Sequence, residues 1–167
     1  QMLGPGRDEP SLAAGAKPEP VALAEVARLG VSDAVAAAQA RGIDIGIAHA
    51  EEAVVDGQSE ALRMLLRNLL ENAIKYTPVE GRVDIGISRQ GDAAELTVDD
   101  SGPGLPPDER ERVLDRFYRS GESQASGSGL GLAIVKSIAD LHGATVALDQ
   151  SPTLGGLRVL VRFPARA

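Results

Sequence analysis

The sequence has 167 residues, which suits one domain, and its 24 acidic and 17 basic residues give a formal net charge of −7. This acidic balance argues against a nucleic-acid-binding protein, and the lack of cysteine excludes disulfides and thiolate metal sites. Two histidines are too few for a multi-histidine metal centre, and no apolar run approaches the ~20 residues that cross a bilayer.

The chain is predicted to begin with a linker and to continue as one domain. Prolines and glycines recur through residues 1–20, where they obstruct both helix and β-ladder, so the domain is expected over 21–167. An alanine-rich helix is predicted over 23–41. Isoleucine alternates with aspartate or glycine over 43–47, which predicts a strand, and a second short strand is predicted over 53–55.

A strong helix is predicted over 59–76, with Ser59 as its N-cap and Pro78 preventing its continuation. Two strands are predicted next, over 82–88 and 95–99, and a hairpin-like turn at 89–92 joins them. A loop follows over 101–129, with a short helix at 107–115. A helix over 130–141, ended by Gly143, and strands over 145–148 and 157–163 complete the domain. Helices that alternate with hairpin-paired strands predict an α+β fold, with one mixed sheet and the helices on one of its faces.

Three polar residues lie at the apolar margin of the helix predicted over 59–76. Asn68, Asn72 and Lys75 fall on one line of that helix, beside the leucine stripe that faces the core. Amide side chains at such a margin are costly unless they are paired. An amide oxygen is a suitable ligand for Mg²⁺, and a lysine one turn further on can reach a phosphate. The alternative is that these groups cap neighbouring loops or face water.

An acidic, glycine-containing turn follows the strand predicted over 95–99. Asp100 comes at the strand end, where its carboxylate can accept a hydrogen bond from an amino group. Gly102 and Gly104 allow the backbone to turn tightly and to approach a ligand closely. The alternative is an ordinary acidic turn.

A second glycine-rich turn opens the helix predicted over 130–141. Its residues are Gly127, Ser128, Gly129, Leu130, Gly131 and Leu132. Such a turn exposes backbone N–H groups at a helix N-terminus, where the helix dipole favours an anion. The spacing matches neither the dinucleotide fingerprint nor the P-loop. The alternative is a helix start with a flexible lead-in.

The order of these motifs is far more specific than any one of them. Residues 67–78, 98–105, 112–119 and 127–136 together resemble the ATP-binding catalytic domain of sensor histidine kinases, which belongs to a superfamily with gyrase, heat-shock protein 90 and MutL. The likeness covers about residues 20–164. It implies a Bergerat-type fold: a two-layer sandwich in which a mixed, mostly antiparallel sheet carries about three helices on one face.

The resemblance also implies a role for each motif residue. Asn72 would be the Mg²⁺ ligand with Asn68 beside it, and Tyr76 would lie against the nucleotide. Asp100 would accept a hydrogen bond from the adenine amino group, in a pocket shaped by Gly102 and Gly104.

The phosphates would lie at the other motifs. Lys75 would approach them, and residues 105–128 would form an ATP lid that brings Arg119 near them. The triphosphate would be lined by Gly127, Gly129 and Gly131 and by the N–H groups around Leu130 and Leu132.

The implied activity is phosphoryl transfer from Mg-ATP to a histidine on a separate dimerisation and phosphoacceptor domain. Residues 1–20 would be a linker or the end of that domain's helical hairpin. A response-regulator receiver domain would be the downstream partner. The setting would be a cytoplasmic domain of an inner-membrane sensor, with no nucleic-acid partner and no direct membrane contact. His49 and His142 are expected to be structural.

Two other functions remain open. The first is an ATP-gated dimerisation or ATPase module of the same superfamily, in which a glutamate activates water. Asn68 occupies that position here and cannot act as a base, which disfavours hydrolysis. The second is a non-enzymatic binder with a degenerate nucleotide site, which the full set of motif residues disfavours.

Overall fold

The computed structural model describes residues 17–107 and 128–165, with three helices and seven strands in the described ranges. In chain order these are β1 (Glu19–Ala22), α1 (Leu23–Ala40), β2 (Asp44–Ala50), β3 (Val54–Gly57), α2 (Ser59–Tyr76), β4 (Arg82–Gln90), β5 (Ala93–Asp100), α3 (Ser128–Leu141), β6 (Thr145–Gln150) and β7 (Leu157–Pro164). No helix among them is long and apolar enough to cross a membrane.

Five strands form one mixed sheet in the order β2-β4-β5-β7-β6. Only the β2–β4 pair is parallel, and the three other pairs are antiparallel. Because side chains alternate across a strand, one face of the sheet collects the apolar residues. Val83, Ile85 and Ile87 of β4 lie beside Leu96 and Val98 of β5 and are buried with the helices. The expected α+β sandwich with a mostly antiparallel sheet is confirmed.

Helix α2 forms the centre of the helical layer and contacts both α1 and α3. Its buried face is a continuous set of leucines: Leu62, Leu65, Leu66, Leu69 and Leu70. Gly30 permits the approach of α1, because a Cβ atom there would lie 2.4 Å from Cδ2 of Leu66. A two-pronged ion pair between Arg63 and Asp33, with both N–O distances at 2.9 Å, joins the exposed edges of the two helices.

The opposite face of the sheet is covered by ion pairs. Arg158 of β7 donates two hydrogen bonds to Asp99 of β5, at 2.8 and 3.0 Å. Arg162 donates to Glu95 at 2.7 Å, four residues further along each of the same two strands. Opposite charges that face each other directly across strands stabilise the register of the pair.

A small second sheet was not predicted. Strand β1 pairs antiparallel with β3, and Pro20 lies within β1 opposite Asp56. The expectation that the prolines exclude a ladder there was wrong for this residue. Among the described strands β1 pairs with β3 alone, so one of its edges is free. Proline, which lacks a backbone N–H, is tolerated on such an edge strand.

The start of α2 also differs from the prediction. Ser59 is the first helical residue rather than the N-cap, and Gln58 is the N-cap without a side-chain hydrogen bond. The backbone N–H of Gln58 donates instead to Nε2 of His142, at 3.1 Å. This long-range contact binds the N–H of the N-cap residue itself, whereas a serine N-cap would accept from an N–H in the first helical turn.

Element ends account for the remaining differences. Strands β4 and β5 extend to Gln90 and Ala93, which leaves a two-residue turn, Gly91 and Asp92, in place of the expected four. Gly91 has a φ of +62°, as tight hairpin turns require. The helix expected at 107–115 falls almost entirely outside the described residues.

Candidate nucleotide-binding site

Asp100 is a buried carboxylate at the end of β5. Its Oδ1 atom accepts hydrogen bonds from the backbone N–H groups of Gly102, at 2.9 Å, and Leu157, at 3.0 Å. Burial raises the pKa of Asp100, and the two backbone hydrogen bonds oppose that shift. Within the described ranges no hydrogen bond reaches Oδ2, so this oxygen can serve a ligand donor.

The loop after β5 turns directly over the end of α2. A Cβ atom on Gly102 would lie 2.8 Å from the carbonyl oxygen of Tyr76, so only glycine allows this approach. The structure therefore brings together two residues that the sequence assigned to the site separately, Tyr76 and Asp100. The Tyr76 side chain is 51% exposed, which leaves its ring free to contact a ligand.

The turn between β6 and β7 closes the other side of Asp100. The Gly156 N–H donates to the carbonyl oxygen of Asp100, at 3.1 Å. Gly104 packs on this turn: it has a φ of +74°, and a Cβ atom there would lie 3.3 Å from the Gly156 carbonyl carbon. Asp100 is thus held between two glycine-containing backbone segments.

The polar line of α2 is present as predicted, at the partly buried edge of the helix. Asn68 donates from Nδ2 to the carbonyl oxygen of Met64, at 2.8 Å, which is a bond within its own helix. Nδ2 of Asn72 is buried and has no hydrogen-bond partner in the part of the chain that the structure describes. Lys75 is exposed, and its Nζ atom lies 5.7 Å from the centre of the Tyr76 ring.

Asn72 fits a magnesium ion that is shared with phosphates. The buried Nδ2 donor without a partner is costly in the free protein, and an acceptor such as a phosphate oxygen can remove that cost, whereas the amide oxygen is the atom that could ligate a cation. Among the described residues, no three of the types His, Cys, Asp and Glu converge on one point. Mg²⁺ commonly takes only one or two protein oxygens and completes its shell with substrate phosphates and water. One amide oxygen from the protein is therefore enough for a Mg²⁺ ion that also binds phosphates, whereas an ion held by protein groups alone needs more ligands.

The expected phosphate end lies at the start of α3. Gly129, Leu130, Gly131 and Leu132 fall in its first turns, and α3 packs against α2. Backbone N–H groups of a first helical turn have no partner within the helix and favour an anion. Arg119 and Gly127 lie outside the described residues, so their roles stay predictions.

Some residues that hold the backbone of the candidate site in place were not predicted from the sequence. Arg41, in the turn after α1, donates from its guanidinium to the carbonyl oxygen of Thr77, just beyond α2. Gly156 and Leu157 hold Asp100 from a strand 57 positions further along the chain. A Gly-Gly pair between two strands was visible in the sequence, but its relation to Asp100 required the β5–β7 pairing.

The two histidines occupy structural positions. His142 contacts the carbonyl oxygen of Ile138 through Nδ1, at 2.8 Å, and its ring packs edge-on against Phe163. Since Nε2 accepts from Gln58, both ring nitrogens are engaged. His49 lies at an irregularity in edge strand β2, with its ring over Gly86. These positions agree with the structural roles expected for both.

Comparison with known proteins identifies the family. A family model described as "Histidine kinase-, DNA gyrase B-, and HSP90-like ATPase" matches residues 57–167. The sensor protein QseC of Salmonella typhi is 38% identical over 144 residues, which are 86% of this chain and 31% of that protein. The signal transduction histidine-protein kinase/phosphatase MprB of Mycolicibacterium vanbaalenii is 47% identical over 118 residues, which are 67% of this chain and 24% of that protein. The chain thus spans less than a third of the length of these curated relatives.

Solved structures agree with this assignment. The mycobacterial sensor histidine kinase MprB superposes with a TM-score of 0.77 at 33% identity, covering 89% of this chain and 98% of that one. The ATP-binding domain of PrrB from Mycobacterium tuberculosis gives a TM-score of 0.74 at 29% identity, covering 91% of this chain and all (100%) of that one. The chain therefore belongs to the histidine kinase-, DNA gyrase B- and HSP90-like ATPase family, as the ATP-binding catalytic domain of a sensor histidine kinase.

Proposed function

We propose that this chain binds Mg-ATP and transfers its γ-phosphoryl group to a histidine on a separate dimerisation and phosphoacceptor domain. The observation that carries the proposal is the state of Asp100. One carboxylate oxygen is occupied by two backbone N–H groups, and the other is open to a donor such as the exocyclic amino group of adenine. A charged hydrogen bond of this kind contributes roughly 1.5–3 kcal/mol, enough to select one base.

The phosphate end of the ligand would lie along α2 and α3. Bound Mg²⁺ would neutralise charge on the phosphate oxygens. Asn72 would supply its amide oxygen to the ion, with Asn68 beside it, and exposed Lys75 would approach the phosphates. The backbone N–H groups around Leu130 and Leu132 would donate hydrogen bonds to the negatively charged phosphate oxygens. Arg119 is proposed to complete the set from the segment 105–128.

The surroundings of Asn68 favour transfer over hydrolysis. Its amide cannot act as a base and donates within its own helix. The nearest carboxylate along that helix, Glu71, is exposed and pairs with Arg67 at 3.5 Å. Among the described residues of α2, a water molecule would therefore lack an activating group, whereas an acceptor imidazole attacks the γ-phosphorus without one and displaces ADP. An ATPase or ATP-gated dimerisation module is the second candidate, and this arrangement disfavours it.

The acceptor and partners follow from the same proposal. Neither His49 nor His142 lies where a histidine can be supplied to the site, because His142 is bound at both nitrogens and His49 lies on the edge of the sheet. The acceptor would belong to the protein's dimeric helical hairpin, and a response-regulator receiver domain would take the phosphoryl group next. We place the chain on the cytoplasmic side of a membrane sensor.

The proposal is tested with the chain, labelled Mg-ATP and the phosphoacceptor hairpin of the same protein. We expect acid-labile label on the hairpin only when both proteins are present, and almost none on the chain alone. Label on His49 or His142 would contradict the assignment of the acceptor. Steady phosphate release without the hairpin, or a dimer that forms only with a non-hydrolysable ATP analogue, would favour the second candidate.

A further inference from the structure

The turn between β6 and β7 contacts Asp100 at three points. The Gly156 N–H donates to its backbone carbonyl at 3.1 Å, and the Leu157 N–H donates to its Oδ1 at 3.0 Å. The third contact is steric: a Cβ atom on Gly156 would lie 2.4 Å from both the carbonyl oxygen and Oδ1 of Asp100. Backbone atoms cannot move aside as a flexible side-chain end can, so position 156 excludes every side chain in this arrangement.

The turn is itself rigidly built. Ser151 is buried, its N–H donates to the Gly156 carbonyl at 2.7 Å, and its hydroxyl accepts from the Leu154 N–H at 3.0 Å. The Gly155 N–H donates to the Ser151 carbonyl at 3.0 Å. A turn fixed by its own hydrogen bonds holds its outward-facing N–H groups in a constant position.

We propose that Gly156 and the Leu157 N–H are positioning elements that set the base specificity of the site. They do so by fixing the Asp100 carboxylate with Oδ1 occupied and Oδ2 presented to the ligand. The inference rests on the proposed function, because it requires Asp100 to read the base. The specificity of the site then depends on two backbone segments, one next to Asp100 and one in the last hairpin of the described chain.

The test measures dissociation constants for ATP and inosine triphosphate, both with Mg²⁺, by calorimetry. Inosine triphosphate replaces the exocyclic amino group with a carbonyl oxygen, so the ratio of the two constants reports the Asp100 hydrogen bond. We expect Gly156→Ala to lower the preference for ATP by about tenfold, the range of one charged hydrogen bond. We expect Asp100→Asn to lower it comparably.

A double-mutant cycle shows whether the turn acts through Asp100. In the Asp100→Asn background, Gly156→Ala should change the preference by less than about twofold, because coupled residues are not additive. The matched control is Gly46→Ala, since a Cβ atom there meets nothing within 4 Å. It should bind both nucleotides as the wild type does.

Different results contradict different parts of the account. Suppose that Asp100→Asn lowers the preference for ATP over inosine triphosphate, while the folded Gly156→Ala variant keeps that preference or loses affinity for both nucleotides equally. The positioning role of Gly156 is then wrong, and the proposed function stands. If Asp100→Asn leaves the preference unchanged, Asp100 does not read the base and both proposals fail.

A second variant covers the case in which Gly156→Ala does not fold. Replacing the Leu157 amide with an ester deletes the N–H donor and adds no bulk. We expect a preference for ATP that is again reduced by about tenfold. An unchanged preference in the folded ester protein would overturn the inference.

Discussion

At the residue scale, Asp100 shows how a buried carboxylate lowers the stability of the protein. Its carboxylate is buried, and burial raises its pKa from the ordinary 3.8, so the charged form is disfavoured in the folded state. The native protein therefore holds this proton more tightly than the unfolded chain does. By linkage, the contribution of Asp100 to stability is full below the ordinary pKa and is lost as the pH rises through the raised one.

The direction of this pH dependence of stability gives a prediction for Asp100→Asn. The amide keeps an oxygen that accepts from Gly102 and Leu157 but carries no charge, so the variant should gain stability relative to the wild type as the pH rises from about 4 to about 7. Urea unfolding at several pH values measures the difference. Asp92→Asn, in the exposed hairpin turn, is the control and should show no such trend. A difference that stays constant with pH would contradict the buried-charge account.

A second prediction at the residue scale concerns Asn72. Removing its amide in Asn72→Ala should weaken ATP binding with Mg²⁺ by roughly tenfold or more, because the ion loses its protein ligand. Binding of ATP without Mg²⁺ should change much less. Calorimetry with and without the metal makes the comparison, and equal losses under both conditions would refute the metal role.

At the element scale, His142 joins the end of α3 to the start of α2. Its Nε2 atom accepts from the Gln58 N–H, and its ring packs on Phe163 of β7. Three elements therefore meet at one side chain. A Cβ atom on Gly57 would lie 2.5 Å from the ring, which explains the glycine that ends β3.

We expect His142→Ala to lower the free energy of unfolding by about 1–3 kcal/mol, since the N-cap N–H loses its acceptor and the ring leaves a gap. Denaturant unfolding measures this change. His49→Ala is the matched control, because that ring is exposed, and it should shift stability by no more than about 0.5 kcal/mol. Similar losses in the two variants would contradict the role of His142.

The elements also show which features can be predicted from sequence. Helices α1 and α2 were predicted nearly to the residue, and six of the seven strands were predicted with ends that differ by up to three residues, because periodicity and helix-stopping residues are local signals. The prediction of Ser59 as the N-cap was wrong by one residue, because Ser59 is the first helical residue and Gln58 is the N-cap without a side-chain hydrogen bond. Glycine lowers the intrinsic stability of a helix, and only the packing of α1 on α2 explains its presence at Gly30.

At the scale of the whole molecule, the candidate site could be predicted only in part. The motif residues Asn72, Lys75, Tyr76 and Asp100 are predicted from spacing and from the family resemblance. The groups that hold them, Arg41, Gly156 and Leu157, lack a local signal and act through tertiary contacts. A net charge of −7 gives no bulk attraction for ATP, so binding depends on these local arrangements.

The distance along the chain between Asp100 and its Leu157 partner, 57 positions, affects biosynthesis. A ribosome completes α2 and the loop after β5 well before it reaches β7. A nascent polypeptide of that length already contains Asn72 and Asp100, yet Asp100 still lacks one of its two backbone donors. The doubly bonded Asp100 carboxylate therefore forms only after β7 has been synthesised and pairs with β5, so the proposed recognition of the base depends on a late step of folding.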